Sequence, residues 1–400
     1  MAENQPTNKN RMNTELSSFA ARLRELIANP QSMRNPQFST LALELFALQF
    51  KHNTAYRTIC EARRLPPGVI EHWTQIPAVP TAAFKELELT CLSSPERMAV
   101  FHSSGTTEQK PSRHHHGWES LKVYQASLST WFLANVLPDF RFPISDFRLL
   151  CLTPPPEQSP HSSLVHMFDI LRQKIGAGEP AFVGEIAPDG SWALDFDAVL
   201  AALADNSKLK IQNPKLILGT AFSFVHLLDF LGEHNLRFQL PAGSRIMETG
   251  GYKNRSRSMP KMDLHALITE RLGVPPENIV CEYGMSELSS QAYDRVTNGG
   301  CRLADGSSSS RHASSGTRHF RFPPWARVQI VSPESGCEVA DGETGLIRIF
   351  DLANVFSVMA VQTEDLGTRR GDGFELLGRA QMAEPRGCSL MMEQSALSLP

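Results

Sequence analysis

Small hydroxyl residues crowd one stretch of this chain, Phe101-His-Ser-Ser-Gly-Thr-Thr-Glu-Gln-Lys-Pro-Ser112. Ser103, Ser104, Gly105, Thr106 and Thr107 leave backbone N–H and side-chain O–H groups free to wrap an anion, and Lys110 adds a point charge suited to polyphosphate. The composition is that of a phosphate cradle. It is not the G-x-x-x-x-G-K-[ST] loop, whose lysine directly follows its second glycine. Read alone, the segment fits a plain Ser/Thr/Gly surface turn equally well.

Three further segments follow in order. Cys281-Glu-Tyr-Gly-Met-Ser-Glu287 is expected to end a strand in an aromatic and a glycine and then to supply a carboxylate. Gln362-Thr-Glu-Asp-Leu-Gly367 presents Asp365, and Leu377-Gly-Arg379 presents an arginine beyond it. Together the four resemble the ATP-binding signature of the adenylate-forming superfamily. The resemblance implies a Ser/Thr/Gly loop, a Tyr-Gly-x-[ST]-Glu motif (here Tyr283, Gly284, Ser286 and Glu287), an aspartate that holds ribose (Asp365) and a Gly-Arg hinge (Gly378, Arg379). Each motif alone is weak, and four in this order are strong.

The implied roles are chemically sound. A carboxylate at Asp365 can accept from both ribose hydroxyls, and hydrogen bonds to a charged group are worth about 1.5–3 kcal/mol each. Glu287 is suited to Mg²⁺, which prefers carboxylate and phosphate oxygens. The ring of Tyr283 can stack beside adenine, with Gly250 and Gly251 of Glu248-Thr-Gly-Gly-Tyr252 letting backbone approach the base. Arg379 can neutralise charge near the ribose or the α-phosphate. A core aromatic at Tyr283 and a surface ion pair at Arg379 are the plain alternatives.

Within the superfamily the chain resembles the LuxE-type acyl-protein synthetases, the fatty-acid-activating subunit of the bacterial luciferase-linked reductase complex. The similarity runs from about Ala99 to Met391 and is densest in Glu248–Lys253, Cys281–Asp294, Gly345–Leu352 and Leu377–Leu390. In that family a cysteine near the C-terminus takes the acyl group from the adenylate. Cys388, in Arg386-Gly-Cys-Ser389, matches the place. A free thiol has a pKa of about 8.5, and a nearby cation such as Arg386 or Arg379 favours the attacking thiolate. The other six cysteines read as structural, as most cysteines are.

One departure bears on ATP: the family loop continues Thr-Thr-Gly, whereas Glu108 follows Thr107 here. A Ser-rich insertion over Asp305–Gly316 and a short tail are lesser departures. The run His114-His115-His116 invites a metal reading, but consecutive residues cannot all face one ion in regular structure. A solvated or substrate-proximal turn is expected there, and no zinc is assigned.

The elements that must position these residues are legible as periodicities. Leu16, Phe19, Ala20, Leu23, Leu26 and Ile27 share a helical face behind an expected cap at Asn13 or Thr14, and a second apolar run spans Thr40 to Phe50. Trp118, Leu121, Tyr124, Leu128 and Phe132 predict a core helix, part of whose face can line an acyl pocket. The runs Arg148–Thr153, Lys215–Gly219, Arg245–Thr249 and Ile279–Tyr283 alternate with helix-like segments, implying parallel strands with crossover helices. Val328–Val331, Leu346–Phe350, Val355–Val361 and Phe374–Leu377 lie between Gly and Asp turn signals and suggest a β-rich section. The expected fold is α/β: a helical region over 1–95, an adenylate-forming core over 96–377 with its β-rich section from about 320, and a short lid or tail over 378–400.

Composition narrows the class. The 400 residues carry 39 Lys+Arg against 42 Asp+Glu, a formal net charge of -3, and are 41% hydrophobic. Bulk charge therefore argues against nucleic-acid binding, and the Lys253–Arg257 stretch is short. No apolar run of about 18 residues occurs and the N-terminus is polar, so a cytoplasmic protein without a membrane span is expected. Seven scattered cysteines fit reduced thiols.

The resemblance implies an ATP- and Mg²⁺-dependent ligase that converts a fatty or aromatic carboxylic acid to acyl-AMP. It then transfers the acyl group to Cys388 and onward to an acceptor such as an acyl reductase or carrier protein. A coenzyme A ligase resembling phenylacetate–CoA ligases is the alternative in the same class, and a non-catalytic nucleotide-binding scaffold, supported by Glu108, is the alternative outside it. Only 21 residues follow Arg379 (400 minus 379). That is too few for the full lysine-bearing C-terminal domain of longer relatives, which favours transfer to a tail cysteine.

Overall fold

The computed structural model describes residues 8–30, 33, 35–103, 110–138, 143–176, 181–204, 213–250, 259–296 and 318–380. Ser104, Gly105, Thr106, Thr107, Glu108, Gly251, the 253–257 stretch, the Ser-rich insertion, Arg386 and Cys388 lie outside the described residues.

Three helices lead the chain: α1 (Asn8–Ala28), α2 (Asn35–His52) and α3 (Thr54–Ala62). The apolar stripe of α1 is buried at Leu16, Phe19, Ala20, Leu23 and Ile27. Asn13 and Thr14 lie inside α1 and do not cap it, because nothing from Asn8 onward breaks the helix. A short strand β1 (Val79–Pro80) and helix α4 (Ala83–Glu86) precede the hairpin β2 (Ala99–His102) and β3 (Arg113–His116), which brackets the hydroxyl-rich loop. Helix α5 (Trp118–Val136) follows. Tyr124, Leu128 and Phe132 of α5 are buried as expected, whereas Trp118 is 60% exposed because it occupies the first helical position, at the open end of the stripe.

The centre alternates strand and helix: β4 (Arg148–Cys151), α6 (Ser163–Ile175), the small hairpin β5 (Gly184–Ile186) and β6 (Trp192–Leu194), α7 (Phe196–Ala204), β7 (Lys215–Thr220), α8 (Ala221–Glu233), β8 (Arg245–Thr249), α9 (Lys261–Leu272) and β9 (Ile279–Tyr283). Strands β4, β7, β8 and β9 are parallel neighbours. Parallel strands need crossovers, and the crossover helices cover both faces of the sheet, which is why these strands read as near-continuous apolar runs. On one face Tyr124, Leu128 and Phe132 of α5 and Phe168 of α6 pack on Leu216, Leu218, Met247, Val280 and Tyr293. On the other, Phe224 of α8 and Leu264 and Ile268 of α9 pack on Leu150, Ile217, Ile246 and Ile279.

Antiparallel strands extend the same sheet: β10 (Ala292–Val296), β11 (Arg318–Arg321), β12 (Ala326–Val331), β13 (Thr344–Asp351), β14 (Ala360–Arg370) and β15 (Gly373–Arg379). The order is β12-β13-β14-β15-β11-β10-β9-β8-β7-β4, with β1 pairing β14. The leading helices pack against this β-rich end, so Phe46, Tyr56, Trp325, Phe350 and Val361 share one core. The apolar run expected as a strand over Val355–Val361 enters β14 only at Ala360. Residues 352–359 form a buried loop instead. Its backbone groups are met by side chains: Gln49 donates to the carbonyls of Asn354 and Val355 and accepts from Met359 N–H. Such pairing is what lets an irregular segment be buried at all.

Candidate active site

Open α/β sheets bind ligands beyond the carboxyl ends of their parallel strands. Here that edge carries Thr249-Gly250 after β8 and Tyr283-Gly284 after β9. Gly250 has φ 76°, a left-handed conformation that side chains avoid. At Gly284 a Cβ would meet Oε1 of Glu282, the far end of a flexible side chain, so a larger residue there would have to displace that carboxyl.

Tyr283 joins two of the sequence segments. Its hydroxyl donates to Asp365 Oδ2 at 2.8 Å. Its ring meets Phe320, Phe322 and Phe374 edge-on, with centroids 5.3 to 6.3 Å away. The core-aromatic alternative describes this ring, and the phenol is its polar end. Burial pushes the Asp365 carboxyl up, against the pull of the Tyr283 hydroxyl and Arg379. Arg379 stands opposite Asp365 in the β14–β15 ladder, its Nε 3.8 Å from Asp365 Oδ1, with the side chain 83% exposed. Exposed pairs of this kind contribute about 0–1 kcal/mol, so its place in the structure is the surface ion pair.

The turn after β9 is held from three sides. Ser286 Oγ donates to Glu287 Oε2 at 3.0 Å and lies 3.3 Å from Ser112 Oγ. Asn354 Nδ2 donates to the Glu287 carbonyl at 2.9 Å. Behind the turn, Asp351 accepts from the Ser289 and Ala353 N–H groups and from Ser290 Oγ. Burial pushes its carboxyl up to about 6. Ser103 Oγ accepts from Ser112 N–H at 3.0 Å, which closes the base of the hydroxyl-rich loop beside this turn. Lys110 does not join the group: its Nζ lies 3.0 Å from Glu86 Oε2 of α4, both side chains exposed.

The histidine run is not a turn. It forms β3, and period-two alternation buries His114 and His116. His114 Nδ1–H donates to the Ser286 carbonyl at 2.8 Å, and burial lowers its pKa to about 4, so the ring is neutral. The β2–β3 pairing that closes the hydroxyl-rich loop thus also anchors the Tyr283–Glu287 turn. In the sequence His114 reads only as part of a turn, and Asp351, Asn354 and Glu282 carry no assigned role. The alternation of Arg113–His116 was the available signal for the first, and adjacency to Tyr283 for the last.

Four cysteines are poor nucleophiles where they stand. Burial pushes the Cys60 thiol up to about 11 and raises Cys91, Cys151 and Cys281 further. Two surface grooves are present, one of about 820 Å³ beside Arg22, Glu25 and Leu41 and one of about 410 Å³ beside Arg63, Gln75 and Arg348. Neither reaches the strand edge where the motifs converge. Among the described residues no helix is long and apolar enough to cross a membrane.

The fold with this edge is that of adenylate-forming ligases. An open conformation of 2-hydroxyisobutyryl-CoA ligase, bound to 2-HIB-AMP and CoA, superposes with a TM-score of 0.58 at 15% identity, covering 89% of this chain and 78% of that one. The thioesterification state of that enzyme gives 0.58 as well, over 87% and 69%. The family profile for acyl-protein synthetase, LuxE, matches residues 19–397, and the chain belongs to that family. It is similar to the long-chain-fatty-acid--luciferin-component ligases of Aliivibrio fischeri (23% identical over 88% of this chain and 86% of that one) and Vibrio harveyi (24% over 89% and 87%). The family makes the protein a ligase of the acyl-protein synthetase kind.

Proposed function

We propose that the protein activates a fatty or aromatic carboxylic acid, passes the acyl group to the Cys388 thiol and delivers it to an acceptor protein such as an acyl reductase or carrier. In the first step a carboxylate oxygen attacks the α-phosphorus of ATP, the bond to the β-phosphate oxygen breaks, and pyrophosphate leaves. In the second the thiolate sulfur attacks the acyl carbon and AMP leaves. The observation that carries the reading is the convergence at one strand edge of Tyr283, hydrogen-bonded to Asp365, with the Ser286–Glu287 turn.

In this reading Asp365 holds the ribose hydroxyls while Tyr283 orients its carboxylate. Gly250, Gly251 and Gly284 let backbone approach the nucleotide. Ser103, Ser104, Gly105, Thr106, Thr107 and Ser286 offer donors to phosphate, and Lys110 swings from Glu86 to join them when phosphate is present. Preorganised donors aimed at developing charge are the largest usual contribution to such catalysis. Glu287 is the residue that fits Mg²⁺: one oxygen is engaged by Ser286 Oγ, and the carboxylate chemistry suits a hard cation. No group of three or more His, Cys, Asp or Glu side chains is placed to hold a metal among the described residues. The ion would therefore take its other ligands from phosphate and water, and it would supply neutralisation of phosphate charge. Arg379, exposed beside Asp365, is free to turn toward the α-phosphate.

Burial raises the thiols of Cys60, Cys91, Cys151 and Cys281 and so disfavours them, because only a thiolate attacks; Cys301, exposed Cys337 and Cys388 remain, and the family resemblance selects Cys388. The test is acid-dependent ATP–pyrophosphate exchange over a panel of acids, followed by mass spectrometry of the protein. Exchange with a hydroxylamine-labile acyl mass on the protein, lost in Cys388→Ser, is expected. Release of a soluble coenzyme A thioester with unmodified protein would favour the coenzyme A ligase reading, to which the fold likeness also points.

A further inference from the structure

One row of side chains at the same strand edge is left over by the reaction described above. In the β8–β9 ladder Thr249 stands directly opposite Glu282, and in the β9–β10 ladder Tyr293 stands directly opposite Glu282 on its other side. Residues paired in this way point to the same face of the sheet with Cβ atoms about 4.5–5.5 Å apart. That face is the one covered by α5, as Val280 and Tyr293 in its core show.

The row is polar and closed to bulk water. Glu282 is 5% exposed and Tyr293 0%. Thr249 Oγ1 donates to Glu282 Oε2, which leaves Oε1 directed over the Cα of Gly284. The Tyr293 hydroxyl finds no hydrogen-bond partner among the described residues. Tyr124 of α5 packs in the same core, its hydroxyl donating to the Ser163 carbonyl at 3.3 Å. Buried polar groups are nearly always paired, and leaving one unpaired costs about 1–3 kcal/mol. An unpaired hydroxyl directly opposite buried Glu282, beside the turn assigned to the adenylate, calls for a polar group on the ligand.

We propose that Glu282 and Tyr293 select a carboxylic acid bearing a hydrogen-bond-donating substituent, a hydroxyl or an amino group, near its carboxyl end. The inference rests on the acid-activation reading and names the substrate class of that same site. The substituent donates to Glu282 Oε1, and the Tyr293 hydroxyl meets its remaining polar valence. A site built to pair such a group rejects the analogue lacking it far more strongly than an apolar pocket rejects an extra methylene.

The experiment is ATP–pyrophosphate exchange by the full-length chain with acids matched in length: unsubstituted, hydroxyl-bearing, amino-bearing and methyl-ether-capped. At least a tenfold higher kcat/KM is expected for the hydroxyl or amino acid over the unsubstituted and capped ones, and those two arms identify which donor is read. Tyr293→Phe and Glu282→Gln should each lower that ratio at least fivefold. Exchange with equal or better use of the unsubstituted acid overturns the inference and leaves acid activation standing. An undiminished ratio in both folded variants also overturns it. Exchange with none of the acids overturns the activation reading and this inference with it.

Discussion

Protonation of His114 should set part of the acid sensitivity of this protein. The ring is buried, its Nδ1–H is committed to the Ser286 carbonyl, and its pKa is lowered to about 4 from an ordinary 6.5, chiefly by burial. The folded chain therefore keeps His114 neutral where the unfolded chain binds a proton, and stability falls as pH drops from about 6.5 toward 4. Integrating between those two values gives a loss of about 2 kcal/mol on going from pH 7 to pH 5. His114→Asn keeps a donor near the position of Nδ1 but cannot titrate. At pH 7 it should lose roughly 1–3 kcal/mol of packing. Between pH 7 and pH 5, urea unfolding followed by tryptophan fluorescence should show its stability falling by about 2 kcal/mol less than the wild type's. His116, its ring centroid 4.2 Å from that of His114, is depressed by burial and then by His114, so His114→Asn also relieves part of its depression and widens the difference in the same direction. If the wild type and His114→Asn lose the same stability between the two pH values, the buried neutral imidazole is not the source of acid sensitivity and the reasoning fails.

Three further outcomes are expected. Asp365→Ala should raise the KM for ATP by roughly tenfold or more, since one charged hydrogen bond is worth about 1.5–3 kcal/mol; an unchanged KM would remove Asp365 from the nucleotide site. Gly284→Ala should destabilise by about 1–3 kcal/mol through the clash with Glu282 Oε1, and a double-mutant cycle with Glu282→Ala should show the two changes coupled; strict additivity would mean the contact is not made. Gln49→Ala should cost about 1–3 kcal/mol, because it leaves Met359 N–H and the Val355 carbonyl of the buried loop unpaired. Urea unfolding would register the loss, and an unchanged midpoint would mean that the loop is held by other groups.

Much of the scaffold is written in local pattern. Ile279–Tyr283 and Arg245–Thr249 coincide with strands residue for residue, because strands covered on both faces must be apolar along their length. The residues Tyr283, Ser286, Glu287 and Asp365 are picked out in the sequence by their resemblance to the adenylate-forming signature. Contacts between distant segments are not legible in this way. That Gln49 supports residues 354–359, that His114 anchors Ser286, and that Tyr283 reaches Asp365 are all consequences of strand order and helix docking, which no short window of sequence encodes. Val355–Val361 misleads for the same reason, since a buried loop and a buried strand are equally apolar and differ only in where their backbone hydrogen bonds go. The sequence by itself determined the class of chemistry, through four ordered motifs and an α/β alternation. Tertiary structure alone decided that the histidine run is a strand against the Tyr283–Glu287 turn, and that Glu282 is flanked by Thr249 and Tyr293, because register across neighbouring strands sets which side chains share a buried face.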